Sequence, residues 1–174
     1  MRVLPLLLLS LTGVALAAPQ VGCQPDLDAA TRALNTLRAQ AHACGDRLLP
    51  PAPALRWQAA LGDSALRYAH ELARRQRLDH IGSAGTSLRT RLREAGYVMR
   101  VAGENLAGGP ETLDEALAQW LASPAHCENL MAADFQEFGL ACVAGGGALQ
   151  RYWVLHLAAA ASPQPPKSSP DRSP

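Results

Sequence analysis

The feature that most constrains this chain is the stretch from Val101 to Met131, where polar side chains flank one short amphipathic helix. Glu104 and Asn105 precede the helix, and His126 follows it. A second imidazole, His80, comes from the segment before this stretch. Two imidazoles and a carboxylate that meet from separate segments can bind a metal ion or share a proton. We therefore take His80, Glu104, Asn105 and His126 as the candidate site residues.

The first residues are typical of a secretory signal peptide. Arg2 precedes a short apolar run, and Ala15-Leu16-Ala17 fits a cleavage site, so residues 1–17 are predicted to be removed after Ala17. The apolar run is shorter than the roughly 20 residues of a membrane-spanning helix. An uncleaved membrane anchor is therefore disfavoured. A lipoprotein anchored at Cys23 is a further alternative, but the Leu expected at the third position before a lipoprotein cysteine is missing. We expect a secreted or periplasmic protein without a transmembrane segment in the mature chain.

Composition separates a folded domain from a tail. Residues 160–174 are rich in proline and serine and cannot form a core, so they are predicted to be a disordered tail. Residues 18–159 remain as one domain, long enough for a hydrophobic core. The net charge is only +1, without the sustained basic stripe that nucleic-acid binding needs. Local arginine clusters, which include Arg89, Arg91 and Arg93, are interpreted as solvated helix faces rather than a patch for an anionic surface.

Apolar spacing and capping signals predict mixed secondary structure. Asp26 caps the first helix, Thr112 opens a capping box, and Ser123 with Pro124 restarts a helix. The predicted helices are Leu27 to Cys44, Gln58 to Arg77, Leu88 to Ala95, and two that begin at Thr112 and Ser123. The predicted strands are Tyr97 to Ala107, Phe138 to Ala144 and Leu149 to Leu157. The pattern favours an α+β fold with helices on both faces of a small sheet.

Four cysteines in an exported chain predict two disulfides, and sequence alone allows three pairings. We expect Cys44 to pair with Cys127, because this bridge would join the first helix to the segment that contains His126. Cys23 would then pair with Cys142 and tie the mature N-terminus to a C-terminal strand.

The chemistry of His80, Glu104 and His126 has two interpretations. Such a set suits Zn²⁺ with an open water position, although the spacing is not the compact H-E-x-x-H of helical zinc proteases. The alternative is a buried polar network in which Glu104 accepts hydrogen bonds and Asn105 holds a loop. Residue types alone favour the network.

Several ordered motifs resemble the CAP superfamily, the group of cysteine-rich secretory, antigen 5 and pathogenesis-related 1 proteins that share the SCP domain, and its bacterial branch in particular. The resemblance covers about residues 33–158. The motifs, in chain order, are Leu78-Asp79-His80, Gly103-Glu104-Asn105-Leu106-Ala107, Trp120 followed by Ser123-Pro124-Ala125-His126-Cys127-Glu128-Asn129-Leu130-Met131, Phe138-Gly139-Leu140, and Tyr152-Trp153-Val154.

The resemblance implies a three-layer α-β-α sandwich with a small, mainly antiparallel central sheet and a large central cavity. His80, Glu104 and His126 match family positions in that cavity. A further acidic residue of the family has no clear counterpart here, because Thr90 and Arg91 stand near its position.

One more imidazole follows the last of these motifs. His156 alternates with Leu155 along its strand, and we interpret it as a strand-surface residue rather than part of the site.

The resemblance implies a secreted protein but no defined reaction. We expect a monomeric, non-enzymatic binding module for a small lipid-like or peptide ligand or a cell-envelope component, with no required cofactor and Zn²⁺ as the candidate metal at His80, Glu104 and His126. The alternatives are a cell-envelope structural protein and a Zn²⁺-dependent hydrolase. No serine or cysteine nucleophile stands out, since the cysteines are expected in disulfides and Ser123 in a cap.

Overall fold

The structure is a computed structural model that describes residues 22–161. The predicted signal peptide and all but the first two residues of the predicted tail lie outside the described residues. Between residues 22 and 161, no helix is long and apolar enough to cross a membrane. In chain order the elements are α1 Leu27–Arg38, β1 His42–Cys44, β2 Arg47–Leu49, β3 Arg56–Trp57, α2 Ala59–Arg75, α3 Leu88–Glu94, β4 Met99–Gly108, α4 Leu113–Leu121, α5 Pro124–Met131, β5 Glu137–Ala144 and β6 Arg151–Ala160.

The central sheet has four strands in the order β3-β5-β6-β4. Strand β6 pairs antiparallel with both β4 and β5, and only the short β3 runs parallel to its neighbour β5. The antiparallel pair β1 and β2 forms a separate hairpin. The predicted small, mainly antiparallel sheet is confirmed.

Helices cover both faces of this sheet. Helix α2 packs Ala65, Tyr68 and Leu72 against strand residues such as Tyr152 and Val154. Helices α1, α4 and α5 pack on the other face around Trp120 and Trp153. The alternation of side chains along the strands separates the two cores, and apolar residues occupy both sides because both are covered. The three-layer α-β-α sandwich is therefore confirmed.

Helix α1 is shorter than the sequence predicts. It ends at Arg38 rather than Cys44, and His42–Cys44 forms β1 instead. The buried Arg38 guanidinium donates to the backbone oxygens of Pro53, Leu130 and Ala132, which fixes the end of the helix against other segments. Gly45, with a φ of +62°, lies in the turn between β1 and β2.

Two disulfides join distant parts of the domain. Cys23 is bonded to Cys142 on β5, and Cys44 on β1 is bonded to Cys127 on α5. These are the pairs that the sequence analysis expects. The second bridge holds the β1–β2 hairpin against the helix that contains His126, and thereby helps to fix the position of that helix.

Candidate functional site

Strand β4 presents its polar residues to opposite faces of the sheet. Successive side chains of a strand alternate between the two faces. Glu104 therefore faces the α2 side, where it contacts residues of α3, β6 and the segment after α2. Asn105 faces the other side, where it contacts α5. The four candidate site residues therefore do not form one cluster: some are positioned from the α2 side of the sheet and others from the α5 side.

On the α2 side, Glu104 is the centre of a hydrogen-bonded group that we call the carboxylate cluster: Glu104, His80, Arg91 and His156. The Glu104 side chain is 4% exposed. Its Oε1 accepts from Nδ1 of His80 at 2.8 Å. Its Oε2 accepts from Arg91 at 2.6 Å and from Nε2 of His156 at 2.9 Å. Both oxygens of the carboxylate are thus occupied by donors, and those on Oε2 are themselves buried.

Backbone and aromatic contacts hold the donors in place. His80 follows α2 directly, where the Tyr68 hydroxyl donates to the backbone oxygen of Asp79. Arg91 donates from one terminal nitrogen to the backbone oxygens of His80 and Thr86, and its guanidinium carbon lies 3.5 Å from the Tyr68 ring centroid. The arginine therefore both pairs with Glu104 and stabilises the segment on which His80 lies.

These contacts keep Glu104 ionised. Burial by itself would raise the pKa of the carboxyl. Hydrogen bonds from His156 and His80, together with electrostatic interactions with His156 and Arg91, outweigh burial and lower the pKa of Glu104 to about 2. The cluster thus contains a permanent buried anion with a permanent guanidinium beside it.

The pKa values of the imidazoles of His80 and His126 are shifted in opposite directions. The hydrogen bond to Glu104 raises the pKa of His80, whose side chain remains 58% exposed. Burial, followed by the positive charge of His80, lowers the pKa of His126. We call these two imidazoles, both of which are at least partly accessible to solvent, the histidine rim.

On the α5 side, Asn105 forms what we call the amide clip with Asn129. Asn105 is fully buried and donates to the backbone oxygen of His126 at 2.9 Å. Asn129 donates to Oδ1 of Asn105 at 3.0 Å and to the backbone oxygen of Glu104 at 3.3 Å. These neutral bonds fasten α5 to β4 and so place His126 beside the cluster.

Gly103 permits this close approach. A Cβ at that position would lie 2.8 Å from the Phe135 ring and 3.0 Å from Oδ1 of Asn129. Either contact would require the neighbouring side chain to move, so a larger residue at position 103 would disturb the amide clip.

Two interpretations of single residues from the sequence are wrong. Arg91 is not on a solvated helix face: it is 7% exposed and bonded to Glu104. His156 is not a surface residue: it is 0% exposed and also bonded to Glu104. Both residues belong to the site, and the charge of Arg91 stands near the position where the resemblance implies an acid.

The expected metal ligands His80, Glu104 and His126 are not arranged to hold a metal ion in this structure. Within residues 22–161 no three His, Cys, Asp or Glu side chains are arranged to hold a metal ion. Glu104 already accepts three hydrogen bonds from side chains, and one of these donors is the guanidinium of Arg91. That fixed positive charge would repel a second cation at the same carboxylate.

Ser123 stands at the N-cap position of α5, but its side chain makes no capping hydrogen bond, contrary to the expected cap. Pro124 at the first helical position removes one N–H that a cap would otherwise satisfy.

The fold and the cluster define a small, disulfide-bonded α-β-α protein with a buried polar centre at one edge of its sheet. The family model described as "CAP: Cysteine-rich secretory protein family" matches residues 31–157. Because this match covers more than half of the sequence, the chain belongs to the CAP family. No curated protein matches the chain.

Solved structures show the same fold. An outer surface protein from Borrelia burgdorferi is 20% identical, with a TM-score of 0.60, and the match covers 81% of this chain and 100% of the other. An extracellular SCP-domain protein from Bacillus anthracis is 18% identical, with a TM-score of 0.59, and the match covers 83% of this chain and 45% of the other. A cysteine-rich secretory protein from Staphylococcus aureus is 16% identical, with a TM-score of 0.52 and coverage of 76% and 38%. The chain therefore spans less than half the length of the Bacillus and Staphylococcus proteins.

Proposed function

We propose that this chain is an exported CAP-domain protein that binds a ligand at the histidine rim and catalyses no reaction there. The observation that carries the proposal is the complete occupation of Glu104 by His80, Arg91 and His156. A carboxylate held in this way positions its neighbours, whereas His80 and His126 keep surface available for contact with another molecule.

The state of Glu104 argues against a catalytic role for it. A general base near neutral pH needs a pKa near the working pH, and the pKa of Glu104 is lowered to about 2. Its proton affinity is therefore too small for base catalysis, and it does not supply a third metal ligand. These two properties leave the Zn²⁺-dependent hydrolase without support from the site.

Neither a free cysteine nor a serine bonded to an imidazole is found in the described part of the chain. All four cysteines are in disulfides. No hydrogen bond within residues 22–161 joins a serine hydroxyl to an imidazole, which is the arrangement that activates a serine. Binding is the function that the rim supports better than chemistry.

Export and domain limits are part of the same proposal. Residues 1–17 carry the features of a signal peptide, and two disulfides suit an oxidising compartment. Two similar structures are described as an outer surface protein and an extracellular protein. We assign residues 18–159 to the binding domain and 160–174 to a tail. The proposed ligand is a small lipid-like molecule or a peptide, or a cell-envelope component that carries either.

Two titrations test the proposal. In the first, oleate and a mixture of short peptides are added separately to the mature protein while the histidine ring signals are followed by NMR. We expect at least one probe to shift the signals of His80 and His126 while those of His42, on β1, stay unchanged. Absence of any shift at the two rim histidines with either probe would contradict binding at the rim.

The second titration uses Zn²⁺ at neutral pH on protein purified without a chelator or an affinity tag. We expect no stoichiometric heat from the wild type, and no gain of ester or peptide hydrolysis on adding Zn²⁺. Stoichiometric binding that His126→Ala abolishes and His70→Ala retains would overturn the non-catalytic assignment and restore the metal interpretation.

A further inference from the structure

A cavity lies between α2, residues 82–86 and α3. Its volume is about 440 Å³, which is within the usual range of small-molecule sites. His80 and His126 do not line it, so it is separate from the histidine rim. Arg91 is the one member of the carboxylate cluster that also lines this cavity, which we call the α2–α3 pocket.

Guanidinium groups dominate the charge of this pocket. Arg67 and Arg74 lie nearly two turns apart on α2, and both are exposed. Neither makes an ion pair with any residue between 22 and 161. Arg91 adds a third positive group from α3.

Two carboxylates also line the pocket, but they do not cancel this charge. Glu71 accepts from Arg75 at 3.2 Å and from the backbone N–H of Ser83 at 2.6 Å, so its charge is already compensated. Glu94 is exposed on α3 and is the only other acidic group of the lining. Arg91 is paired with Glu104 in the same way, so two unpaired guanidinium groups, those of Arg67 and Arg74, face one uncompensated carboxylate.

Two buried polar atoms of the lining residues have no hydrogen-bond partner among the described residues. They are Oγ of Ser64 and Nε of Arg91, on side chains that are 1% and 7% exposed as residues. Both atoms can donate a hydrogen bond, but neither is exposed to solvent, so Arg67 and Arg74 are the donors that a molecule in the pocket can reach.

We propose that the α2–α3 pocket binds the carboxylate or phosphate group of a small organic molecule. Arginine side chains bind such oxyanions through short, charge-assisted hydrogen bonds. The oxyanion is bound by the exposed guanidinium groups of Arg67 and Arg74, with the charge of Arg91 nearby. The volume exceeds that of a bare ion, and Ala84 and Tyr68 of the lining provide apolar contact for the remainder of the molecule.

Calorimetric titration of the mature protein with three anions tests the proposal. The probes are inorganic phosphate, glycerol 3-phosphate and citrate, with glycerol as the neutral control. We expect all three anions to bind and glycerol not to bind. Glycerol 3-phosphate should bind more tightly than inorganic phosphate if the organic part occupies the pocket. Affinity should fall as salt is added, because Arg67 and Arg74 are exposed.

Matched arginine variants assign the binding to the pocket. Arg67→Gln and Arg74→Gln should each weaken anion binding about tenfold, the effect of losing one charge-assisted hydrogen bond. Arg93→Gln removes the same charge from α3 outside the pocket and should change affinity less than about twofold. Circular dichroism would show that Arg67→Gln and Arg74→Gln retain the fold.

Two results would overturn the proposal. Failure of all three anions to bind at millimolar concentration would mean that the arginines of the pocket hold no oxyanion. Equal weakening by Arg93→Gln and Arg67→Gln would mean that anions only sense the overall charge. Neither result bears on the histidine rim, whose probes are read out at His80 and His126.

Discussion

Glu104 and Asn105 are neighbours in sequence and both are buried, yet the two sides of strand β4 that they occupy differ in kind. On the α2 side, a charged carboxylate joins three separate segments through His80, Arg91 and His156. On the α5 side, the amide clip joins only β4 and α5 through neutral hydrogen bonds. A buried ion needs several donors to offset its desolvation, whereas a buried amide needs only local partners.

This difference explains how the site can be rigid on one side and open at its edge. The clip fixes α5, and with it His126, without any charge that responds to pH. The carboxylate cluster holds His80 by a bond that depends on the charge of Glu104. In the rim, His126 is therefore held through neutral hydrogen bonds of the amide clip, whereas His80 is held by a hydrogen bond to the charged Glu104.

The largest expected effect comes from removing the charge of Glu104. Glu104→Gln leaves the buried guanidinium of Arg91 without its anion and should lower the free energy of unfolding by about 3–5 kcal/mol, measured by chemical denaturation. Glu94→Gln, at an exposed carboxylate, is the control and should change it by less than about 0.5 kcal/mol.

A double-mutant cycle sharpens this first comparison. Glu104→Gln combined with Arg91→Gln should destabilise by clearly less than the sum of the single changes, since the second substitution removes the uncompensated charge. Additive effects would mean that the two groups do not interact.

Acid should produce the next largest effect. The pKa of Glu104 is about 2 in the folded state, below the ordinary 4.5, so its contribution is present above about pH 4.5 and is lost as the pH falls toward 2. We expect the wild type to lose about 2–3 kcal/mol across this window beyond what Glu104→Gln loses. Parallel stability curves for the two proteins would argue against an ionised Glu104.

Breaking the amide clip should lower the free energy of unfolding by less. Asn105→Ala leaves the backbone oxygen of His126 and the side chain of Asn129 without their partner, and should cost about 1–3 kcal/mol. Because no charge is removed, this loss should be the same at pH 4 and pH 7. A loss that grows or shrinks markedly between these two pH values would show that the two sides of β4 are not independent.

The smallest effect is expected at the exposed imidazole. Glu104 raises the pKa of His80, so the stabilisation is present below the ordinary value of 6.5 and is lost as the pH rises through the folded value. The ring is 58% exposed, so His80→Gln should cost at most about 1 kcal/mol at pH 6 and less at pH 9. A larger loss at pH 9 than at pH 6 would reverse the sign of this coupling.

Local signals in the sequence are sufficient for most of the fold. The capping positions Asp26 and Thr112 both accept the expected backbone hydrogen bonds, and the central sheet follows from alternating apolar strands. The end of α1 could not be predicted in the same way, because it depends on the contacts of Arg38 with residues about 92 and 94 positions away.

The candidate site was only partly predictable for the same reason. Glu104 and His80 stand in recognisable motifs, but the burial of Arg91 and His156 depends on packing. His156 was assigned to a surface although a sheet covered on both faces has no solvated side at its centre. For Arg91 a signal did exist: it lies three residues after Leu88 and beside the buried Leu92, on the side of α3 that turns inward.

The central claim is that Glu104 is an ionised, fully bonded group that holds the cluster together. An NMR titration of its side-chain carboxyl carbon tests this most directly. The account predicts no titration step near pH 4.5, with the carboxylate signal retained down to pH 2 or to the pH of acid unfolding. A titration step at or above pH 4.5 in the folded protein would contradict it.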